Sequence, residues 1–399
     1  MTGGRPTSLF GMAHRPVLRV ISLLPSATDT VNALIKKGQE EGEALPFELC
    51  GCTHECDLPF TTVSGSVPVR LTQSRIGDIP IDDIELAFNS SVAAIDEFMA
   101  LRQVRGASLG SGEVSLSLSW FDGLMVSWLV HSLAVVLLVR ARTWYDQRQP
   151  LAIPLIQFGL SAYELDLDEL CRIKPDVILT CLQTAHSCIL EGELAAYAFE
   201  SVLGYVPRIV HTEGQTLEEV YRDMLKISEA VGGQGLGREL VASVRGDMER
   251  IGADVRRALS NTGEGSLAST SVSVVWWASP VLAASAWVQD MLDLLGVKNV
   301  GDDWERANMV VWCLCGLGID VAEREARKLV ARAARGGNTS EGPGPNPSPG
   351  PPVRQRMAAM DGVRHLSRPG PLLVESMACL ADMIVFGGVE GKGGDWRWI

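Results

Sequence analysis

Four separated stretches of this chain are apolar without alternation: RVISLL (Arg19–Leu24), PDVILTC (Pro175–Cys181), SVSVVWWASP (Ser271–Pro280) and MVVWCLCG (Met309–Gly316). A strand that exposes one face alternates apolar with polar, so an unbroken apolar run must be covered on both faces. Helical stretches separate these runs, and consecutive strands covered in this way form a parallel sheet flanked by helices. The expected fold class is α/β. With 399 residues, of which 46% are hydrophobic, the chain can build two lobes with a core in each.

The helix signals are local. Pro25 closes the first run, and Ser26 with Asp29 three residues on reads as a capping-box-like start. That start places a helix amino terminus at the carboxyl end of the first strand, where its N–H groups either hold an anionic or polar ligand group or simply begin a helix. Thr216 and Glu219 form a second capping box, followed by Val220, Met224, Ile227 and Val231 on one face. After Gly232 and Gly233, Leu240, Val244, Met248, Ile251 and Val255 recur at helical spacing with charged residues opposite. A helix of about 20 residues is roughly 30 Å long. It is either a strut between lobes or an ordinary surface helix of one of them.

Two stretches break the pattern. Residues 335–352, RGGNTSEGPGPNPSPGPP, cannot bury a core and read as a disordered insertion, and the tail GGVEGKGGDWRWI reads similarly apart from its two tryptophans. Residues 104–150 are an atypical insertion containing the apolar run Leu124–Val139, which falls short of the roughly 20 residues a membrane helix needs. A net charge of −13 argues against nucleic-acid binding and for small molecules or proteins as partners. The nine cysteines are odd in number and include no C-x-x-C pair, which is no disulfide framework. A reducing compartment is expected, the cytoplasm ahead of an organelle, although Arg5 and Arg15 precede the first strand without any acidic residue.

Candidate chemistry concentrates in CTHECDLPF, where Cys52, His54, Glu55, Cys56 and Asp57 stand within six positions. These are metal-ligand types, and Cys181, His186 and Cys188 offer the only second half for such a site; a ligand-facing loop and a hydrogen-bonded turn are the alternatives. Trp276, Trp277 and Trp287, with Trp304 and Trp312 beyond, are either core or apolar faces for a planar or macrocyclic ligand. Cys313 and Cys315 close an apolar strand and read as buried. No nucleophile elbow, phosphate-binding loop or H-E-x-x-H motif is present in the sequence, so no catalytic residue is assigned.

Taken in order, RVISLLPSATDTV, THECDLP, SRI (Ser74–Ile76), LDELCRIKPDVILT, CG-x-G-x-D (Cys315–Asp320) and SRPGP (Ser367–Pro371) resemble the class III substrate-binding proteins of ABC transporters, in their cobalamin-binding, iron-siderophore-like group. The resemblance covers about residues 18–100, 160–330 and 355–386. It implies two α/β lobes with mainly parallel sheets, joined by a long rigid helix, with ligand in the cleft between strand ends. The first lobe would be residues 18–215, the helical region 216–260 and the second lobe 261–386.

Motif by motif, Ser26, Ala27, Thr28, Thr53, His54, Glu55, Asp57, Ser74 and Arg75 would face the cleft from the first lobe. Trp276, Trp277, Trp287, Cys315, Gly316, Ser367, Arg368 and Gly370 would face it from the second. The implied protein is a monomeric, non-catalytic binder that needs no cofactor, takes cobalamin or a related corrinoid, and has a transporter as potential partner. A metal, haem or iron-chelate binder using His54, Cys56, His186 and Cys188 is one alternative, and a small-molecule enzyme on the same scaffold is the other. The family pattern also implies a helix between Trp304 and Met309, where this chain is short.

Overall fold

The computed structural model describes residues 17–56, 67–74, 163–181, 199–261, 270–278, 281–284, 286–334, 355–386 and 394–399. The stretches 104–150 and 335–352, with His186 and Cys188, lie outside them, as do Asp57 and Arg75. Strands β1 (Leu18–Ser22), β2 (Phe47–Cys52), β3 (Val69–Arg70), β6 (Val177–Cys181) and β7 (Arg208–Thr212) form one sheet in the order β3-β2-β1-β6-β7, parallel throughout. A small antiparallel pair, β4 (Thr72–Ser74) and β5 (Tyr163–Leu165), stands beside it.

The second sheet runs β10 (Lys298–Asn299), β8 (Ser271–Ala278), β11 (Met309–Trp312), β12 (Arg356–Met360) and β13 (Trp396–Trp398). Its first four strands are parallel, while β13 and the short β9 (Val281–Ala283) pair antiparallel at β12 and β8. All four apolar runs are thus strands of parallel sheets. Val20 and Leu49 pack on one face of the first sheet and Ile21 and Ile178 on the other, which is why those runs do not alternate.

The tail departs from expectation. Trp396 is buried and Trp398 packs against the second core, so this segment is an edge strand that extends the second lobe beyond residue 386. Between Trp304 and Arg306 a single 3-10 turn replaces the helix that the family pattern implies.

Helix α1 (Pro25–Glu41) also differs in its start. Its N-cap is Leu24, with no side-chain cap, and Ser26 lies inside the first turn. Pro25 is the reason: its fixed φ and missing N–H suit the first helical position, which moves the boundary ahead of Ser26. Helix α2 (Leu167–Ile173) is capped by Asp166. Helix α3 (Leu217–Ala230) begins with the reciprocal Thr216–Glu219 capping box read from the sequence.

Helix α4 (Gln234–Asn261) runs unbroken for 28 residues, roughly 42 Å. Its early residue Leu236 packs in the first lobe's core, whereas Val241, Val244, Met248 and Val255 belong to the second lobe's core. Helix α3 divides the same way, with Ile227 and Ala230 in the first core and Leu217, Val220, Tyr221 and Met224 in the second. The long helix is a strut shared by both lobes. The second lobe adds α5 (Trp287–Leu295), α6 (Ile319–Ala334) and α7 (Leu373–Ala381). Asp290 of α5 accepts the Leu217 N–H at 2.8 Å, tying the start of α3 to the second lobe.

Close helix contacts depend on glycine. A Cβ at Gly237 would lie 2.0 Å from Ser228 Oγ of α3, and one at Gly252 would lie 2.5 Å from the Leu294 carbonyl of α5. Arg256 donates to that same carbonyl. No described helix is long and apolar enough to cross a membrane.

Candidate functional site

The carboxyl ends of the parallel strands in both sheets lead into loops that touch each other. From the first lobe come the amino-terminal turn of α1 after β1 and the loop Thr53–Cys56 after β2. From the second come Cys315 after β11 and residues 361–370 after β12. Arg368 joins them: its guanidinium donates to the Glu55 carbonyl at 2.8 Å and lies 3.8 Å from the Asp29 carboxylate. Its side chain is 5% exposed and that of Asp29 is 9% exposed, so this is a charge pair held out of water. Gly370 backs onto α1, where a Cβ would lie 3.2 Å from the Ser26 carbonyl.

On the first-lobe side the THEC loop is braced by Arg70, which donates to the carbonyls of Thr53, His54 and Cys56. His54 Nδ1 pairs with Thr72 Oγ1 at 2.8 Å, and Thr72 Oγ1 also accepts the His54 N–H. Burial holds the His54 imidazole below the ordinary histidine range, against the pull of Glu55. Burial thus favours the neutral ring.

Below this loop lies a thiol pair. Cys56 Sγ is 3.1 Å from Thr28 Oγ1 and 3.1 Å from Thr53 Oγ1. A hydrogen bond from the Cys52 thiol is the largest influence holding Cys56 below the usual thiol range, with the two threonine hydroxyls adding to it against burial. The same bond, with burial, pushes Cys52 the other way. Of the two thiols, Cys56 is the one that would give up its proton first.

The second lobe presents Cys315, whose thiol is pushed up to about 12 by burial and by the facing Glu55 carboxylate, against a hydrogen bond with Ser367. Ser367 Oγ donates to the Gly362 carbonyl at 2.7 Å. Gly316 follows in the left-handed region with φ of 74°. Trp276 and Trp277 are partly exposed at the end of β8. The Trp276 indole N–H is buried and finds no acceptor among the described residues.

Of the residues read from the sequence, Ser26, Glu55, Cys315, Ser367, Arg368 and Gly370 are brought together at this junction, with Thr53 and His54 in the same loop as Glu55. Others are placed differently. Ala27 and Thr28 are buried, and Thr28 Oγ1 is engaged by Cys56 and by the Leu24 carbonyl. Trp287 is a core residue; its ring lies 5.6 Å from that of Trp276 and its N–H donates to the Leu366 carbonyl at 2.8 Å. Ser74 lies in β4, paired with Tyr163. Cys56 is engaged by the hydroxyls of Thr28 and Thr53.

Asp29 and Arg70 were not singled out by sequence as site residues. Asp29 carried a signal, an acid three residues after Ser26, but its partner lies 339 positions away. Arg70 carried none.

No protein-family model matches the chain, and no curated protein matches it. Among solved structures, it is similar to a possible iron-binding (periplasmic solute-binding) protein from Staphylococcus epidermidis, at 16% identity and a TM-score of 0.48, covering 92% of this chain and 98% of the other. It is similar to the periplasmic heme-binding protein BhuT at 12% identity and a TM-score of 0.47, covering 92% and 98%. The periplasmic vitamin B12 binding protein BtuF of Vibrio cholerae is similar at 12% identity and a TM-score of 0.43, covering 92% and 97%.

Proposed function

We propose that this protein is a non-catalytic small-molecule binder whose ligand, a corrinoid such as cobalamin or a related tetrapyrrole, is held at the junction of the two lobes. The observation that carries the reading is the buried Arg368 bridge, which fastens the carboxyl-end loops of one parallel sheet to those of the other. Ligands of open α/β sheets bind outside the carboxyl ends of their strands, where loops can vary without disturbing the core. Here two such edges converge, and a cation sits between them.

The chemistry of the lining supports a large, mostly apolar ligand with polar appendages. Trp276 and Trp277 offer ring faces, and Arg368, Ser367 and the neutral His54 offer hydrogen bonds. A carbonyl or carboxylate oxygen of the ligand would take the place of Glu55 or Asp29 on the Arg368 guanidinium. The motif order that resembles the cobalamin-binding group favours a corrinoid over other macrocycles. The protein would act as a monomer in a reducing compartment, the cytoplasm, and hand its ligand to a transporter or another acceptor.

Titration of the full chain with cobalamin and its incomplete corrinoid precursors, read by equilibrium dialysis and tryptophan fluorescence corrected for ligand absorbance, tests the reading. Saturable binding at micromolar or lower concentration, weakened at least tenfold by Trp276→Ala or His54→Ala, is expected. A folded protein that binds none of them overturns the corrinoid assignment.

A further inference from the structure

Away from the THEC loop, the second lobe gathers three donor side chains from three elements. His365 lies in the loop after β12, Cys379 on α7, and Asp395 immediately before β13. Their donor atoms, an imidazole nitrogen, a thiol sulfur and a carboxylate oxygen, all lie within 4.8 Å of one another.

The hydrogen bonds around His365 favour one tautomer. Its Nδ1 is 3.3 Å from Ser376 Oγ. That hydroxyl accepts the Leu366 N–H at 3.1 Å and donates to the Leu372 carbonyl at 3.1 Å. A serine hydroxyl has one proton, and with that proton on the Leu372 carbonyl Ser376 accepts from His365. The imidazole proton is therefore on Nδ1, and Nε2 carries a lone pair.

His365 is fully buried, and Nε2 has no hydrogen-bond partner among the described residues. It stands 3.6 Å from a carboxylate oxygen of Asp395. Two electron-rich atoms thus face each other across a gap, with a sulfur converging on the same point. A proton shared between nitrogen and carboxylate would not need the sulfur; a borderline-soft cation would use all three.

We propose that His365, Cys379 and Asp395 form a binding site for zinc or a similar divalent transition metal. In a tetrahedral zinc site, the bond lengths to nitrogen, oxygen and sulfur put neighbouring donors about 3.4 to 3.6 Å apart. The 3.6 Å between His365 and Asp395 already matches such an edge, and the Cys379 sulfur lies within 4.8 Å of both donors. Ser376 orients the ligating histidine through its other nitrogen, the usual second partner of a metal-bound imidazole. Metal here would pin the segment entering β13 to α7 and the β12 loop.

The test is cobalt titration of the full chain after removal of bound metal by chelator dialysis. The expected result is a tetrahedral cobalt spectrum with a thiolate-to-cobalt charge-transfer band, saturating at one equivalent and abolished by competing zinc. Cys379→Ser should remove the charge-transfer band, and Asp395→Asn and Ser376→Ala should each weaken binding by tenfold or more. Cys171→Ser, on α2, should leave the spectrum unchanged. Circular dichroism establishes that each variant is folded, and these substitutions avoid truncating the buried His365. No charge-transfer band in the folded wild-type protein, or a band that survives Cys379→Ser, overturns the proposal.

Discussion

Arg368 links two lobes through one side chain, which makes its removal informative. Breaking a buried ion pair from one side leaves the other charge without compensation, and Arg368→Ala should destabilise the protein by about 2 to 4 kcal/mol in urea unfolding. Combining it with Asp29→Asn should recover part of that loss, because the stranded carboxylate is then gone; strictly additive effects would show that the pair is not coupled. The Cys52–Cys56 pair makes a second prediction at this scale. Because its folded pKa is depressed, Cys56 should appear as thiolate on a rising pH scale before an ordinary thiol does, in the ultraviolet difference between wild type and Cys56→Ser. The stability this contributes is fully present above the unfolded thiol pKa and is lost as pH falls through the folded one. Cys52→Ala should move the titration upward, since the largest stabilising hydrogen bond would be missing. A midpoint unmoved by Cys52→Ala would contradict the assignment.

Along α4 the same substitution should have opposite effects at two positions. Gly246→Ala places its methyl in open space on an exposed helix face and should stabilise by up to about 1 kcal/mol. Gly252→Ala drives a methyl against the Leu294 carbonyl and should cost about 2 to 3 kcal/mol, visible as a lower urea midpoint. Elements such as α3 and β8 were legible in the sequence because their signals are local: a reciprocal cap, or an apolar run covered on both faces. The strand β13 was not, because the glycines before Trp396 mask a pairing made to β12, far back in the chain. The cap of α1 was read two residues too far along, at Ser26 instead of Leu24, since the Ser26 signal was stronger in sequence than the geometry of Pro25. Of the candidate site, the THEC loop and the Ser367–Gly370 segment stand out as compact motifs. The Arg368–Asp29 pair and the His365, Cys379 and Asp395 trio are assembled from distant segments, and no spacing rule announces them.

For the whole molecule, the arrangement predicts restrained motion. A continuous helix embedded in both cores resists the bending that a flexible linker allows, and Arg368 adds a fastening across the same boundary. Small-angle scattering with and without saturating cobalamin should show nearly unchanged radii of gyration; a large compaction would show that the strut bends. The division of α3 and α4 between two cores also bears on how the chain is made. When a ribosome has produced residue 261, the first sheet has all its strands, yet Leu217, Val220, Tyr221, Val244, Met248 and Val255 have only one another, across α3 and α4, to pack on. Their covering residues arrive between Val272 and Trp396, the last of them roughly 7 to 27 seconds later at about 5 to 20 residues per second. Throughout that interval the nascent chain carries a long greasy stripe, a natural client surface for chaperones.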